Sequence, residues 1–161
     1  MKRRFPRAPI QVVATCTFDQ RRVEGILWQI GEGGLFVELP SVEALPDALA
    51  VAFELPGGGV HHVVARPVWK TAAPLRSAPG SARGAGCEFK DISRKSRDAI
   101  GAYLRKTKQT YSALQFALAL DRPTPQLPVL LRETGLERVS DRKVLKERVA
   151  TVIAQFRCEA P

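Results

Sequence analysis

Short β-like runs separated by turn signals occupy most of the first 92 residues and limit the folds open to this chain. Six runs rich in β-branched and apolar residues alternate with Gly-, Pro- and Asp-containing connections. They span residues 10–18, 21–30, 35–39, 48–55, 60–70 and 84–92. Because runs this short are joined by turns rather than helices, they predict a mainly β architecture, an antiparallel small barrel or sandwich.

The sequence period changes to a helical one after the sixth run. Ser93 is a favourable N-cap, and apolar residues recur at helical spacing within residues 96–108. The helix can extend to residue 120, before a proline-containing break at 121–125. A short helix over 129–134 is predicted to stop at Gly135.

A last amphipathic helix is predicted to begin at a Ser140 cap. Its apolar residues fall on one stripe, namely Leu145, Val149, Val152, Ile153 and Phe156. An apolar stripe has to be buried, and two alternatives remain open. It packs on the barrel or the preceding helix, or it forms an interface with a second copy or another protein.

The chain is strongly basic, with 25 Lys and Arg against 16 Asp and Glu and a net charge of +9. Such a charge attracts phosphates, whether in a nucleotide, a nucleic acid or an anionic membrane. The basic residues cluster in 2–7 and 94–108. Tyr103 is the one aromatic residue within the second cluster. This cluster is therefore expected to be a solvated helix face rather than a surface on which single-stranded bases stack.

Targeting and redox features favour a cytoplasmic protein. No apolar run approaches the ~20 residues needed to span a membrane, and no secretory apolar region follows the basic start. Cys16, Cys87 and Cys158 are widely spaced without a C-x-x-C pair, so we expect three reduced thiols.

Metal-binding and catalytic patterns are not found in the sequence. His61 and His62 are adjacent, so on a strand they point to opposite faces, and neither has a Cys or carboxylate at a ligand spacing. Both are expected to be surface or edge-strand residues. Because the carboxylates also form no acid–base pair, we expect neither an enzyme nor a bound cofactor.

Three segments together resemble the PilZ domains, small bacterial β-barrels of which many bind cyclic di-GMP. They are RRFPR (3–7), QIGEGGLFVEL (29–39) and GAGCEFKDIS (84–93). The first two are similar to the family's R-x-x-x-R and D/N-x-S-x-x-G motifs, and the third to its closing G-x-G-x-x-F strand. The resemblance implies a six-stranded antiparallel barrel with an N-terminal arginine arm over 1–106. Residues 107–161 would then form a helical C-terminal extension, packed on the barrel or mediating an interface.

The resemblance also implies a candidate site for cyclic di-GMP. Arg3 and Arg7 stand at the arginine positions, and Arg4 is a third candidate contact; a guanidinium can grip a guanine edge or a phosphate with two hydrogen bonds. Gly34 keeps the motif's last glycine, where it is expected to allow a tight turn with positive φ. Gln29 replaces the family's Asp or Asn and reaches one methylene further. Gly31 replaces its Ser and has no hydroxyl.

Three functional hypotheses follow. The first is a cyclic di-GMP-sensing adaptor that passes its signal to a protein partner in motility, polarity or surface attachment. The second is a PilZ-like interaction module that binds no ligand, such as those linked to type IV pili, with the helices from Ser93 to Arg157 as its docking surface. The third is nucleic-acid binding through the basic charge, which the sequence supports least.

Overall fold

A computed structural model describes residues 5–71, 83–120 and 122–157. In this part of the chain six strands are followed by three helices. The strands are β1 (Arg7–Phe18), β2 (Arg21–Gly31), β3 (Gly34–Glu38), β4 (Leu49–Leu55), β5 (Gly59–Thr71) and β6 (Gly84–Asp91). The helices are α1 (Arg94–Ala119), α2 (Leu127–Glu133) and α3 (Arg142–Gln155). The predicted helix over 96–108 and its extension to 120 are therefore one continuous helix.

The six strands close into a barrel in the order β1-β2-β3-β6-β5-β4. The pairs β1–β4, β2–β3, β3–β6, β4–β5 and β5–β6 are antiparallel. Closure leaves no strand with an unpaired edge, which removes the usual site of edge-to-edge association. The predicted mainly β, antiparallel architecture is confirmed, and of the two alternatives the chain adopts the barrel.

Alternation of side chains along the strands fills the barrel interior. In β4, for example, Leu49, Val51, Phe53 and Leu55 are all buried, and the residues between them are half-buried or exposed. Equivalent inward positions of the other strands carry Ala14, Cys16, Leu27, Ile30, Leu35, Val37, Val63, Ala65, Ala85 and Cys87. The interior is thus a packed apolar core.

The β1–β2 connection is a two-residue turn. Asp19 and Gln20 both have positive φ, at 48° and 60°. Positive φ at both central positions is typical of a type I′ turn, whose twist matches that of the flanking strands. The predicted turn at these two residues is therefore present, and its geometry sets the register of the first hairpin.

The described residues form two compact units, Pro9–Tyr103 and a second that comprises residues 5–8 and 104–157. The barrel and the first part of α1 belong to the first unit. In the second, Tyr111, Leu114 and Leu118 of α1 pack with Leu145 and Val149 of α3. Of the two alternatives for the apolar stripe of the last helix, the structure shows packing within the chain, on the earlier helix α1. No described helix is long and apolar enough to cross a membrane.

The last helix begins one residue later than the sequence predicts. Asp141, not Ser140, is the N-cap, and its carboxylate accepts hydrogen bonds from the backbone N–H groups of Lys143 and Val144. A carboxylate also interacts favourably with the positive end of the helix. The neighbouring Arg142 donates hydrogen bonds to the carbonyls of Leu118 and Leu120, which lie at the C-terminal end of α1 and lack helical partners.

The two adjacent histidines have different environments, and the expectation that both lie on the surface or a sheet edge is wrong for His61. That residue is only 3% exposed, whereas His62 is exposed. Its Nε2 lies 2.8 Å from the Gly58 carbonyl oxygen, and its Nδ1 lies 2.9 Å from Ser96 Oγ. Since a carbonyl only accepts, Nε2 carries a proton, and in the neutral ring Nδ1 accepts from the Ser96 hydroxyl.

The same network reaches the start of α1. Ser93 Oγ donates to Ser96 Oγ over 3.0 Å and accepts from the Ser96 backbone N–H over 3.1 Å. Ser93 is therefore the N-cap that the sequence predicts. His61 consequently joins the β4–β5 turn to the first turn of the helix.

Two of the three cysteines lie in the barrel interior. Cys16 and Cys87 are buried free thiols, and Cys158 lies outside the described residues. Burial raises the pKa of the Cys16 thiol to about 11. The thiol is therefore protonated at neutral pH and acts as a small apolar core residue.

Substitution of His61 tests the buried network, with its exposed neighbour as the matched control. We expect His61→Ala to lower the free energy of unfolding by at least about 2 kcal/mol, because it leaves a cavity and strands the Ser96 hydroxyl and the Gly58 carbonyl. His62→Ala should stay within about 0.5 kcal/mol of wild type. Urea unfolding followed by far-UV circular dichroism measures both, and equal losses would contradict a structural role specific to His61.

Candidate ligand-binding face of the barrel

The second motif lies on one hairpin. Gln29 and Gly31 belong to the end of β2, Gly34 is the first residue of β3, and residues 32–33 form the two-residue tip. In the pairing of β2 with β3, Gln29 lies opposite Phe36. Of the predicted arginines, Arg7 is the first residue of β1, and Arg3 and Arg4 lie outside the described residues.

A β-bulge sets the orientation of the motif. The register of β2 against β3 shifts between Leu27 and Gln29, which leaves Trp28 as the extra residue. Leu27 is fully buried in the barrel, whereas Gln29 is opposite an outward-facing position of β3. The Trp28 indole Nε1 donates a 2.6 Å hydrogen bond to the Glu38 carboxylate. Bulges commonly re-aim side chains in this way, and here the result is an outward Gln29.

A row of four residues crosses the outer face of the barrel at Gln29. Phe36 of β3 is opposite Gln29 of β2 and Gly86 of β6, and Gly86 is in turn opposite Trp69 of β5. The rings of Phe36 and Trp69 stack, with centroids 5.2 Å apart and an interplanar angle of 21°. Phe36 is 7% exposed and Trp69 is 44% exposed, so the indole presents an aromatic surface to solvent.

The stack depends on the glycine between the two rings. A Cβ at Gly86 would overlap the Trp69 indole, its nearest atoms being Nε1 and Cε2. The indole can therefore lie across β6 and reach Phe36 only because residue 86 has no side chain. This close approach gives a physical reason for the second glycine of the closing G-x-G-x-x-F pattern.

The reason for Gly34 differs from the one that the sequence suggests. Gly34 was expected to allow a tight turn with positive φ, but the described glycines with positive φ are Gly57, Gly59 and Gly135. A Cβ at Gly34 would instead overlap the backbone carbonyl oxygen of Cys87 on β6. The position excludes a side chain because two strands approach closely there, not because the backbone needs a left-handed conformation.

A second row lies beside the first on the same face. Gly34 of β3 is opposite Glu88 of β6, and Glu88 is opposite Arg66 of β5. Arg66 Nη2 lies 3.0 Å from Glu88 Oε2, with side-chain exposures of 53% and 56%. The ion pair is therefore exposed to water, two residues along β6 from Gly86 and beside Gly34 of β3.

Together these groups suit the recognition of a nucleotide. An exposed indole can stack on a base, an amide can bond to a base edge, and a guanidinium can bind a phosphate. Within the described chain the half-buried Gln29 side chain has no hydrogen-bond partner, so both ends of its amide are available. In the same ranges no group of His, Cys, Asp and Glu residues could hold a metal ion.

Local sequence patterns do not point to Phe36, Trp69 or Arg66. Phe36 lies in a run of apolar, buried residues. The sequence of this run therefore does not show that Phe36 faces outward while its neighbours face the barrel interior. Trp69 and Arg66 fall on either side of a register shift between Pro67 and Trp69, which breaks simple alternation along β5. The strand order, which places β6 next to β3 and β5 next to β6, brings these residues to the motif.

Comparison with known proteins gives one family and several similar folds. A family model described as the PilZ domain matches residues 1–106, whereas a search of curated proteins found no match. The Bacillus subtilis inhibitor of motility MotI/DgrA is similar to this chain with a TM-score of 0.57 and 15% identity, over 68% of this chain and 52% of its own. The PilZ domain of Escherichia coli YcgR, solved with c-di-GMP, has a TM-score of 0.54 and 14% identity, over 74% of this chain and 100% of its own.

A third solved structure, MrkH, is described as a c-di-GMP-dependent transcription regulatory factor. Its TM-score is 0.51 at 16% identity, over 65% of this chain and 50% of its own. At these identities the similarities establish the barrel fold, and the family match covers both motifs and the closing strand. The chain belongs to the PilZ domain family.

Proposed function

We propose that this chain is a non-enzymatic regulatory adaptor that binds cyclic di-GMP on the outer face of its barrel and signals to a protein partner. The observation that carries the proposal is the row of Gln29, Phe36, Gly86 and Trp69 within a domain of the PilZ family. The solved structures of YcgR with c-di-GMP have a similar fold. As in the sequence analysis, we expect a cytoplasmic protein that acts in motility, polarity or surface attachment.

The proposed site combines the arginine segment with the β2–β3 hairpin. Arg3, Arg4 and Arg7 would bind guanine edges or phosphates of the ligand, because a guanidinium matches both in a bidentate manner. Gln29 would bond to a base edge, Gly34 would keep β3 close to β6 at the hairpin, and Gly31 would contribute backbone only. Trp69 adds an exposed aromatic surface on which a guanine could stack.

The charge of the chain is distributed unevenly between the N-terminal segment and the range that follows it. Residues 9–103 carry ten basic and ten acidic side chains, so this range is neutral, whereas residues 1–8 carry four basic and no acidic ones. A ligand with two phosphates would thus be attracted mainly by the N-terminal segment. Binding there would change the placement of that segment and so the surface offered to a partner.

The helical extension is the proposed partner surface. Residues 107–161 follow the family match of 1–106, and we propose that they form a separate functional part. Residues 104–161 carry eleven basic and six acidic side chains, a charge excess that favours an acidic partner surface.

The alternative is a PilZ module that does not bind the ligand. Its support is chemical: Gly31 offers no hydroxyl, and the Gln29 amide is displaced by one methylene relative to Asn. Each missing hydrogen bond costs about 0.5–1.5 kcal/mol. The two changes together correspond to roughly 10- to 100-fold weaker binding than in a site with the family's Asp or Asn and Ser. If such a site binds more tightly than micromolar, this chain would still bind with micromolar affinity.

Calorimetric titration of cyclic di-GMP distinguishes these functions. We expect saturable binding tighter than about 100 μM and a loss of at least about tenfold in Arg7→Ala, because one bidentate arginine contact contributes about 1–3 kcal/mol. Arg21→Ala, an exposed arginine at the opposite end of β2, is the matched control and should bind normally. Undetectable binding by wild type would leave the ligand-independent module as the function.

Restoring the family's polar residues tests the role of the hairpin. The double substitution Gln29→Asn with Gly31→Ser should raise the affinity for cyclic di-GMP about 10- to 100-fold, because it supplies the two contacts that this chain lacks. Gln29→Asn with Gly31→Ala adds a Cβ without a hydroxyl and is the control. Thermal unfolding of both variants checks that they are folded, and equal affinities of the two would argue against a hydroxyl contact at position 31.

Removal of the exposed indole tests the stacking surface. Trp69→Ala should weaken cyclic di-GMP binding about 5- to 100-fold, since stacking of a base on an aromatic side chain contributes about 1–3 kcal/mol. Trp69→Phe should retain most of the affinity. Trp28→Phe, which changes the tryptophan bonded to Glu38, is the control. An unchanged affinity in Trp69→Ala would place the ligand elsewhere.

A further inference from the structure

We propose that Arg66 is a phosphate-binding residue of the outer face and that Glu88 competes with the ligand for it. The inference rests on the proposed nucleotide binding and adds a residue and a form of regulation that neither motif contains. It is based on the row of Gly34, Glu88 and Arg66 beside the row that carries the aromatic stack.

The position of Arg66 fits a phosphate whose base lies on Trp69. The two rows are two residues apart along β6, at Gly86 and Glu88, which corresponds to about 6.8 Å in an antiparallel strand. This separation is comparable with that between a base and the phosphate of the same nucleotide. A guanine stacked on the indole would therefore place a phosphate near the Arg66 guanidinium.

The row from Arg66 to the hairpin ends at a glycine. Glu88 is opposite both Arg66 and Gly34, so no side chain of β3 stands beside the ion pair in this row, whereas Gly86 in the neighbouring row is covered by the Trp69 indole. The guanidinium is drawn towards β6 by its 3.0 Å contact with Glu88, and thus towards Gly34 rather than away from it. A ligand on the hairpin would meet a cation that is already oriented.

The present partner of Arg66 can be exchanged for a phosphate. Both side chains of the pair are more than half exposed, and ion pairs in water contribute little net free energy. A phosphate offers the guanidinium a charge-assisted, bidentate contact of the stronger kind. Glu88, released into solvent, keeps its hydration but adds a negative charge close to the phosphate, and so it opposes binding.

The pair therefore sets the affinity in opposite directions through its two members. Loss of Arg66 removes a phosphate contact and also leaves the Glu88 charge uncompensated. Loss of the Glu88 charge frees the guanidinium and removes a repulsion. Because the range 9–103 has no net charge, neither effect is masked by a large local excess of cations.

Titration of cyclic di-GMP into four forms of the full chain tests this inference. Relative to wild type, we expect Arg66→Ala to bind about 10- to 100-fold more weakly and Glu88→Gln about 3- to 10-fold more tightly. The double substitution should bind better than Arg66→Ala alone and less well than Glu88→Gln. Arg94→Ala removes an exposed arginine paired with Asp98 on α1 and should match wild type.

The outcomes separate this inference from the proposed function. Wild-type binding together with affinities of Arg66→Ala and Glu88→Gln within twofold of it would overturn the role of the pair and leave the proposed function intact. Binding by Glu88→Gln alone would show that Glu88 opposes the ligand, while the wild-type chain would not be a sensor. Absence of binding by all forms, with circular dichroism showing them folded, would overturn both.

Discussion

β3 and β6 pair so closely that neither Gly34 nor Gly84 has room for a Cβ, and the candidate site depends on this pairing. Gly34 faces the Cys87 carbonyl, and on the other strand a Cβ at Gly84 would overlap the Val37 carbonyl. These two strands are far apart in sequence, yet they are neighbours in the closed barrel. With a side chain at either glycine the strands would have to separate. The Phe36–Trp69 stack joins β3 to β5 across β6 and so depends on this pairing. The Glu88–Arg66 pair joins β6 to β5 beside it.

Charge is distributed over the chain in a way that complements this geometry. The range that contains the barrel is neutral, and the cationic excess lies in residues 1–8 and 104–161. In the proposed function, the neutral range with its exposed Trp69 would supply shape and stacking, and the basic segments on either side of it in the sequence would supply attraction. The two tasks are therefore encoded in different parts of the sequence. Substitutions that alter net charge outside 9–103 should change association without disturbing the barrel core.

The sequence predicts the strands well because each is a short apolar run between turn residues, and because helical spacing begins directly after Ser93. It also identifies the hairpin that carries Gln29, Gly31 and Gly34. It does not reveal Trp69 or Arg66, since their proximity to that hairpin arises from non-local pairing and from a register shift in β5. The environment of His61 is missed for a similar reason: its partner Ser96 is 35 residues away. Contacts made by strand order, rather than by spacing, are the ones that local patterns do not encode.

The reason for each glycine has a consequence for how this family diverges. Gly34 and Gly86 are fixed by strand and ring packing, so their replacement damages the domain whether or not a ligand is bound. In the proposed function, the residues at positions 29 and 31 would serve the ligand, and they could change once a ligand is no longer needed. Fold and ligand recognition can therefore be lost along separate mutational routes. A lineage that abandons the nucleotide is expected to keep its glycines and lose its polar residues first.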